Sequence, residues 1–152
     1  KPYNVVGIHL LAPQEFKPFD LDLPDNIKNS SFIKRTESYD SDSSGYFLTV
    51  GMTEYTIKSA PPVEEDILFS LEQMTSIIKL TKQTKSVRSI NISGQLGKLA
   101  KIQGDVDGKP RFIHGVYFSK GNKLWQVLIN GQETSQNTAL AKKIIDSISI
   151  NP

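Results

Sequence analysis

Along most of this chain, apolar and polar residues alternate with a period of two. In two stretches the period lengthens to that of a helix. Phe19, Leu21 and Leu23 alternate with Asp20 and Asp22. This predicts a short strand over 16–23 with one buried face, ended by the turn residues Pro24-Asp25-Asn26. A second strand is expected from Phe32 to Tyr39, then a polar loop over 40–45, then a long strand from Tyr46 to Lys58. Gly51 inside that strand marks a bulge or a close backbone approach. Upstream, residues 1–14 hold an apolar stretch from Val5 to Ala12, closed by Pro13, expected as an N-terminal arm or edge strand.

Pro61 and Pro62 end the strand and open a helix expected over 63–83. Ile67, Leu71, Met74 and Ile78 fall on one stripe. Glu64, Glu65 and Asp66 in the first turn and Lys79 and Lys82 near the end suit the helix dipole, so the acids need no catalytic role. Strands return at Ser86–Ser93, Gly97–Val106, Pro110–Ser119 and Lys123–Asn130. Asp107-Gly108 and Lys120-Gly121-Asn122 join the last three as hairpins. A final helix, capped by Ser135 or Asn137, buries Leu140, Ala141, Ile144, Ile145 and Ile148. Strands and helices are segregated and hairpins replace crossovers. The reading is one α+β domain over 1–152: a single antiparallel sheet of about six to seven strands with a C-terminal meander and two main helices packed on it.

Composition then narrows the chemistry. The 152 residues, 38 % hydrophobic and 22 % charged, suit a folded domain of ordinary size. Cysteine is absent and histidine is limited to His9 and His114. Disulfides, thiolate and multi-histidine metal centres and a cysteine nucleophile are thereby excluded. No apolar run approaches the ~20 residues of a spanning helix. The chain opens on Lys1, as expected of a processed or trimmed form that has lost a targeting segment.

The net charge of +2 hides an asymmetry. Residues 1–76 carry 6 Lys/Arg against 12 Asp/Glu, and residues 77–152 carry 12 against 4. Between Glu72 and Asp105 there is no acid, only Lys79, Lys82, Lys85, Arg88, Lys98 and Lys101. These six are the candidate partner-binding residues, a basic surface that would steer an anionic partner. A solvated face balancing the acidic half is the plainer account. The pI of 8.7 falls short of a nucleic-acid module, and nucleic acid is not expected as a partner.

Other constellations fail on spacing. There is no Gly-x-Ser-x-Gly elbow, no Walker loop and no dinucleotide fingerprint. Asp40, Asp42, Ser44 and Gly45 begin like a calcium loop, but the twelfth position is Gly51 and the bidentate acid is missing. Asp20, Asp22 or Glu37 as a glycosidase pair has no support beyond residue type. His9 and His114 have the right pKa range for a general base, yet a strand histidine satisfied by a hydrogen bond is the commoner case. Trp125, Phe112, Tyr117 and Phe118 fit core filling and cross-strand pairing better than base or sugar stacking.

The run Gly97-Lys98-Leu99-Ala100-Lys101-Ile102-Gln103-Gly104 is followed by Asp107-Gly108, then Tyr117-Phe118, then Lys123-Leu124-Trp125-Gln126-Val127-Leu128. The chain closes on Ala141-Lys142-Lys143-Ile144-Ile145-Asp146-Ser147-Ile148. This pattern resembles the PsbP-like superfamily, over most of 16–150 and best over 94–150. That group holds photosystem II extrinsic subunits, a Ran-binding nuclear import factor of yeast, and bacterial envelope proteins related to DcrB. The resemblance, nearest to the bacterial envelope branch, implies a small binding or assembly module, not an enzyme, without a cofactor or metal and with another protein as partner. It also implies an extracytoplasmic location, with membrane attachment only through a lipid anchor on residues trimmed away. An immunity protein that blocks a toxin fits the same pattern. A small-ligand or lipid carrier is the alternative, its cavity between the sheet and helix 63–83 lined by Ile67, Leu71, Met74 and Ile78.

Overall fold

A computed structural model describes residues 1–18, 33–43, 45–56, 68, 71–72, 75–76 and 79–151. Strands dominate: β1 (Pro2–Val5), β2 (Ile8–Leu11), β3 (Lys17–Pro18), β4 (Ile33–Ser43), β5 (Tyr46–Tyr55), β6 (Thr81–Ile92), β7 (Gln95–Val106), β8 (Lys109–Lys120), β9 (Lys123–Gln132) and β10 (Ser149–Ile150). The helix α1 spans Ser135–Asp146. Seven strands form one sheet in the order β3-β4-β5-β9-β8-β7-β6, and β1-β2-β10 form a second. Every pairing is antiparallel. The expected antiparallel α+β meander is present.

The details differ from expectation in two respects. Among the described residues there are two sheets, not one. The N-terminal apolar stretch folds back on itself, because Val6 and Gly7, at φ 42° and 89°, make a two-residue hairpin turn inside it. The hairpin then pairs with β10 rather than with the large sheet. Among the described residues, the second main helix is not matched over its expected span either. Leu68, Leu71, Glu72, Thr75 and Ser76 are helical, but the chain has turned at Lys79 (φ 59°) and is a strand from Thr81. Lys82 therefore lies in a strand, not at a helix end. Most of the expected stripe, Ile67, Met74 and Ile78, lies outside the described residues, as do Phe19, Leu21 and Leu23 of the first predicted strand.

The large sheet is packed on both faces, and the period of two decides which residue serves which. On the first face Leu48, Val50, Met52, Leu99, Phe112, Val116, Phe118, Trp125, Val127 and Ile129 meet the β1–β2 hairpin and α1 in one cluster. On the second face Ala100, Ile102, Ile113, Tyr117 and Leu128 meet Leu71 and Leu80. Trp125 joins the two sheets: its indole Nε1 donates to the Val6 carbonyl at 2.8 Å, and its ring stacks on Phe118 at 5.5 Å. Burying these aromatics contributes on the order of 2–3 kcal/mol each. The cap of α1 is Thr134, one residue before the expected Ser135, with its hydroxyl accepting from the Asn137 N–H at 3.0 Å.

Candidate functional site

The register of β6 against β7 sets where the six basic residues go. Arg88 stands opposite Leu99 and Lys101 opposite Ser86, so both lie on the first face as diagonal neighbours within reach of long side chains. Lys85 and Lys98, one residue out of phase, lie on the second face. Lys85 pairs with Glu72 at 3.2 Å, and Lys98 Nζ donates to the Ser89 hydroxyl at 2.9 Å. Lys82 sits in a bulge between Thr81 and Thr84, at φ 54°. Lys79 sits in the preceding turn, its N–H donating to the Ser76 carbonyl. The structure thus brings Arg88 and Lys101 together, puts Lys85 and Lys98 on the reverse side and keeps the other two at one end. Arg88 and Lys101 make no ion pair among the described residues.

Lys101 also faces His114, its cross-strand partner on β8. His114 is buried against the Phe112 ring at 4.8 Å, and its Nδ1 has no hydrogen-bond partner. Burial, then the nearby Lys101 charge, pulls its pKa down from 6.5 to about 4. It is a neutral core histidine, lacking the expected hydrogen bond at Nδ1. On the other face the Tyr117 hydroxyl is likewise buried without a partner, and burial pushes its pKa far up. His9 is outside the core, its Nδ1 3.0 Å from the Asn4 side-chain oxygen. Phe112, Tyr117, Phe118 and Trp125 are all buried, as core filling requires.

A cluster missed in the sequence lies at the β4 end of the first face. Glu54 is buried, with Arg35 at 3.3 Å, Lys34 at 3.6 Å and Lys123 at 3.9 Å, and Arg35 reaches Glu37 at 3.0 Å. The Tyr39 hydroxyl donates to Glu37 at 3.2 Å. The signal was available. Tyr46, Leu48, Val50 and Met52 point inward, and Glu54 continues their phase. These ions tie β4, β5 and β9 together. Glu37 is thus part of a clamp, while Asp20 and Asp22 lie outside the described residues.

The polar stretch at 40–45 is not the expected loop, because β4 continues to Ser43. Thr49 donates to Asp40 at 3.1 Å across the β4–β5 ladder. Among the described residues no three acids or histidines form a metal cluster. Gly51 makes neither a bulge nor a tight contact: its register is regular and its nearest neighbour would lie 3.7 Å from an added Cβ. Instead it floors a groove of about 220 Å³ on the second face, with Thr36, Ser38, Thr53, Tyr55 and Gln126. Leu71, the one described residue of the expected carrier lining, is packed in the second-face cluster and does not line that groove, while Ile67, Met74 and Ile78 lie outside the described residues.

No protein-family model matches the sequence, and no curated protein does. Solved structures do match. The solution structure of cyanobacterial PsbP (CyanoP) from Synechocystis aligns with a TM-score of 0.63 at 13 % identity, over 99 % of this chain and 91 % of that one. The Saccharomyces cerevisiae Ran-binding protein Mog1p aligns at 0.56 and 12 % identity, over 99 % and 94 %. LpqN, involved in cell envelope biogenesis of Mycobacterium tuberculosis, aligns at 0.55 and 13 % identity, over 100 % and 90 %. At these identities what is shared is the fold, and it is the one the glycine and aromatic positions of 94–150 had suggested.

Proposed function

We propose that this PsbP-like domain is a non-enzymatic binding or assembly module whose partner is another protein. The observation that carries the reading is where the chemistry-bearing side chains have gone. His114, Tyr117 and Trp125 are buried in packed clusters, and Glu54 is spent on a clamp between strands. Among the described residues, β6 and β7 present exposed cations at the surface, Lys82, Lys85, Arg88 and Lys101. Exposed charge of that kind supports recognition by complementarity. The fold is shared with a Ran-binding protein and with a protein of cell envelope biogenesis, which supports docking as its use. The second of these supports a place outside the cytoplasm, and a chain without cysteine is compatible with an oxidising compartment.

The test is reconstitution. The protein is used to capture candidates from its own cells, each candidate is purified, and the mixture is run by size exclusion with light scattering. A stoichiometric complex burying about 1,600 Å² is the expected outcome. Failure of every candidate to form one, or turnover of a substrate by the isolated protein, overturns the reading.

A further inference from the structure

We infer that the outer edge of β6, from Thr84 to Ile92, accepts an extended acidic segment of a partner protein as an eighth strand of the large sheet. The inference rests on the domain being a protein-binding module and names where and how it binds. β6 ends the strand order, with β7 on one side and no strand on the other among the described residues. Thr81 to Ser86, Arg88, Ser89 and Asn91 are exposed, so solvent reaches both faces of the strand. Along a terminal strand, alternate N–H and C=O groups point away from the sheet and are open to pairing.

Long edges are commonly blunted by bulges and lysines. Here the bulge is confined to Thr81–Thr84, and from Thr84 to Ile92 the register with β7 runs unbroken. That leaves about 30 Å of regular strand, more than a recognition peptide needs. The turn beyond it is tight, since Ser93 and Gly94 alone connect β6 to β7.

Charge selects the occupant. Arg88 and Lys101 rise together on the first face without ion-pair partners, and Lys98 stands on the second. An incoming strand with acids on its first-face positions would meet Arg88 on the neighbouring strand, and Lys101, one strand further in on the same face, would add to the positive field there. A second copy of this chain is a poor occupant. A two-fold antiparallel pairing of β6 centred near Arg88 sets cation against cation.

The experiment pans a random twelve-residue peptide library displayed on phage against the intact protein, then maps the winning peptides by backbone amide NMR and hydrogen exchange. The expected winners are rich in Asp and Glu alternating with β-branched residues. They shift and protect amides within Thr84–Ile92, and their binding weakens as salt rises. The double variant Arg88→Glu with Lys101→Glu should keep its circular dichroism and lose at least about tenfold in affinity. Winners without acids, winners mapping elsewhere, or a dimer formed through β6 overturns the inference. If the double variant still forms the reconstituted complex at full affinity, the edge proposal falls while the protein-binding reading stands. If no complex exists to test, it is that reading which has failed.

Discussion

β6 and β8 are both twelve-residue strands of the same sheet with only β7 between them, yet they are held by different forces. From Phe112 to Phe118, β8 is buried at seven consecutive positions, with one face against α1 and the hairpin sheet and the other against Leu71 and Leu80. β6 buries only Ile92 fully and half-buries Val87 and Ile90. The first strand is fixed by side chains, the second by its ladder with β7. A sheet can thus concentrate its stability in the middle and leave its rim in water, because local stability follows buried contact.

The most direct way to break this comparison is to remove one side chain from each of the two strands. Phe118→Ala takes a fully buried ring from the stack with Trp125. It should cost about 3–5 kcal/mol by urea denaturation. Val87→Ala on β6 should cost less than about 1 kcal/mol, since that side chain is only partly buried and loses two methyl groups. Equal losses at the two positions would mean that the strands are not differently held.

Next in size is the link from the central strands to the hairpin. Trp125→Phe keeps most of the ring but removes the indole donor to the Val6 carbonyl. The expected loss is about 1–2 kcal/mol, with faster hydrogen exchange in β1 and β2 than in β8. Uniform loosening of both would show that the hairpin is not a separate unit resting on Trp125.

The third concerns acid. His114 has its pKa lowered to about 4 in the folded protein, against 6.5 when exposed in the unfolded chain. The unfolded state therefore binds more protons between those values, and stability falls as pH drops from 6.5 toward 4. Above pH 6.5 both states are neutral at this residue and it adds no slope. His114→Leu should flatten that window in urea titrations at successive pH values. Lys101→Met, which removes the lesser cause, should flatten it only in part. An unchanged slope in both variants would place the acid sensitivity elsewhere.

What was legible in the sequence follows the same division. The meander β7-β8-β9 could be read because its inward residues are apolar and Asp107-Gly108, at φ 52° and 76°, can only be a turn. The first half of β6 could not. Thr81 to Ser86 is exposed on both faces, so no alternation marks it as strand, and its lysines read equally well as the end of a helix. The N-terminal hairpin was hidden because Val6 takes a positive φ that a β-branched residue rarely adopts. The basic residues were visible as a run without acids, but which of them share a face depends on pairing. One bulged residue at Lys82 resets the phase of everything before it.

The smallest expected effect is the sharpest test of what the rim is for. Arg88→Ala removes a charge that pairs with nothing among the described residues, from a strand whose side chains are mostly in water. Its effect on stability should lie within about 0.5 kcal/mol. Relief of the repulsion between Arg88 and Lys101 works against the lost contact of the arginine stem, and both are small in high dielectric. Urea curves for Arg88→Ala and the parent protein should therefore superimpose while affinity for an acidic partner differs. A loss of 2 kcal/mol or more would show Arg88 to be part of the scaffold. The division between a core that holds and an edge proposed to bind would then have to be drawn one strand further out than β7.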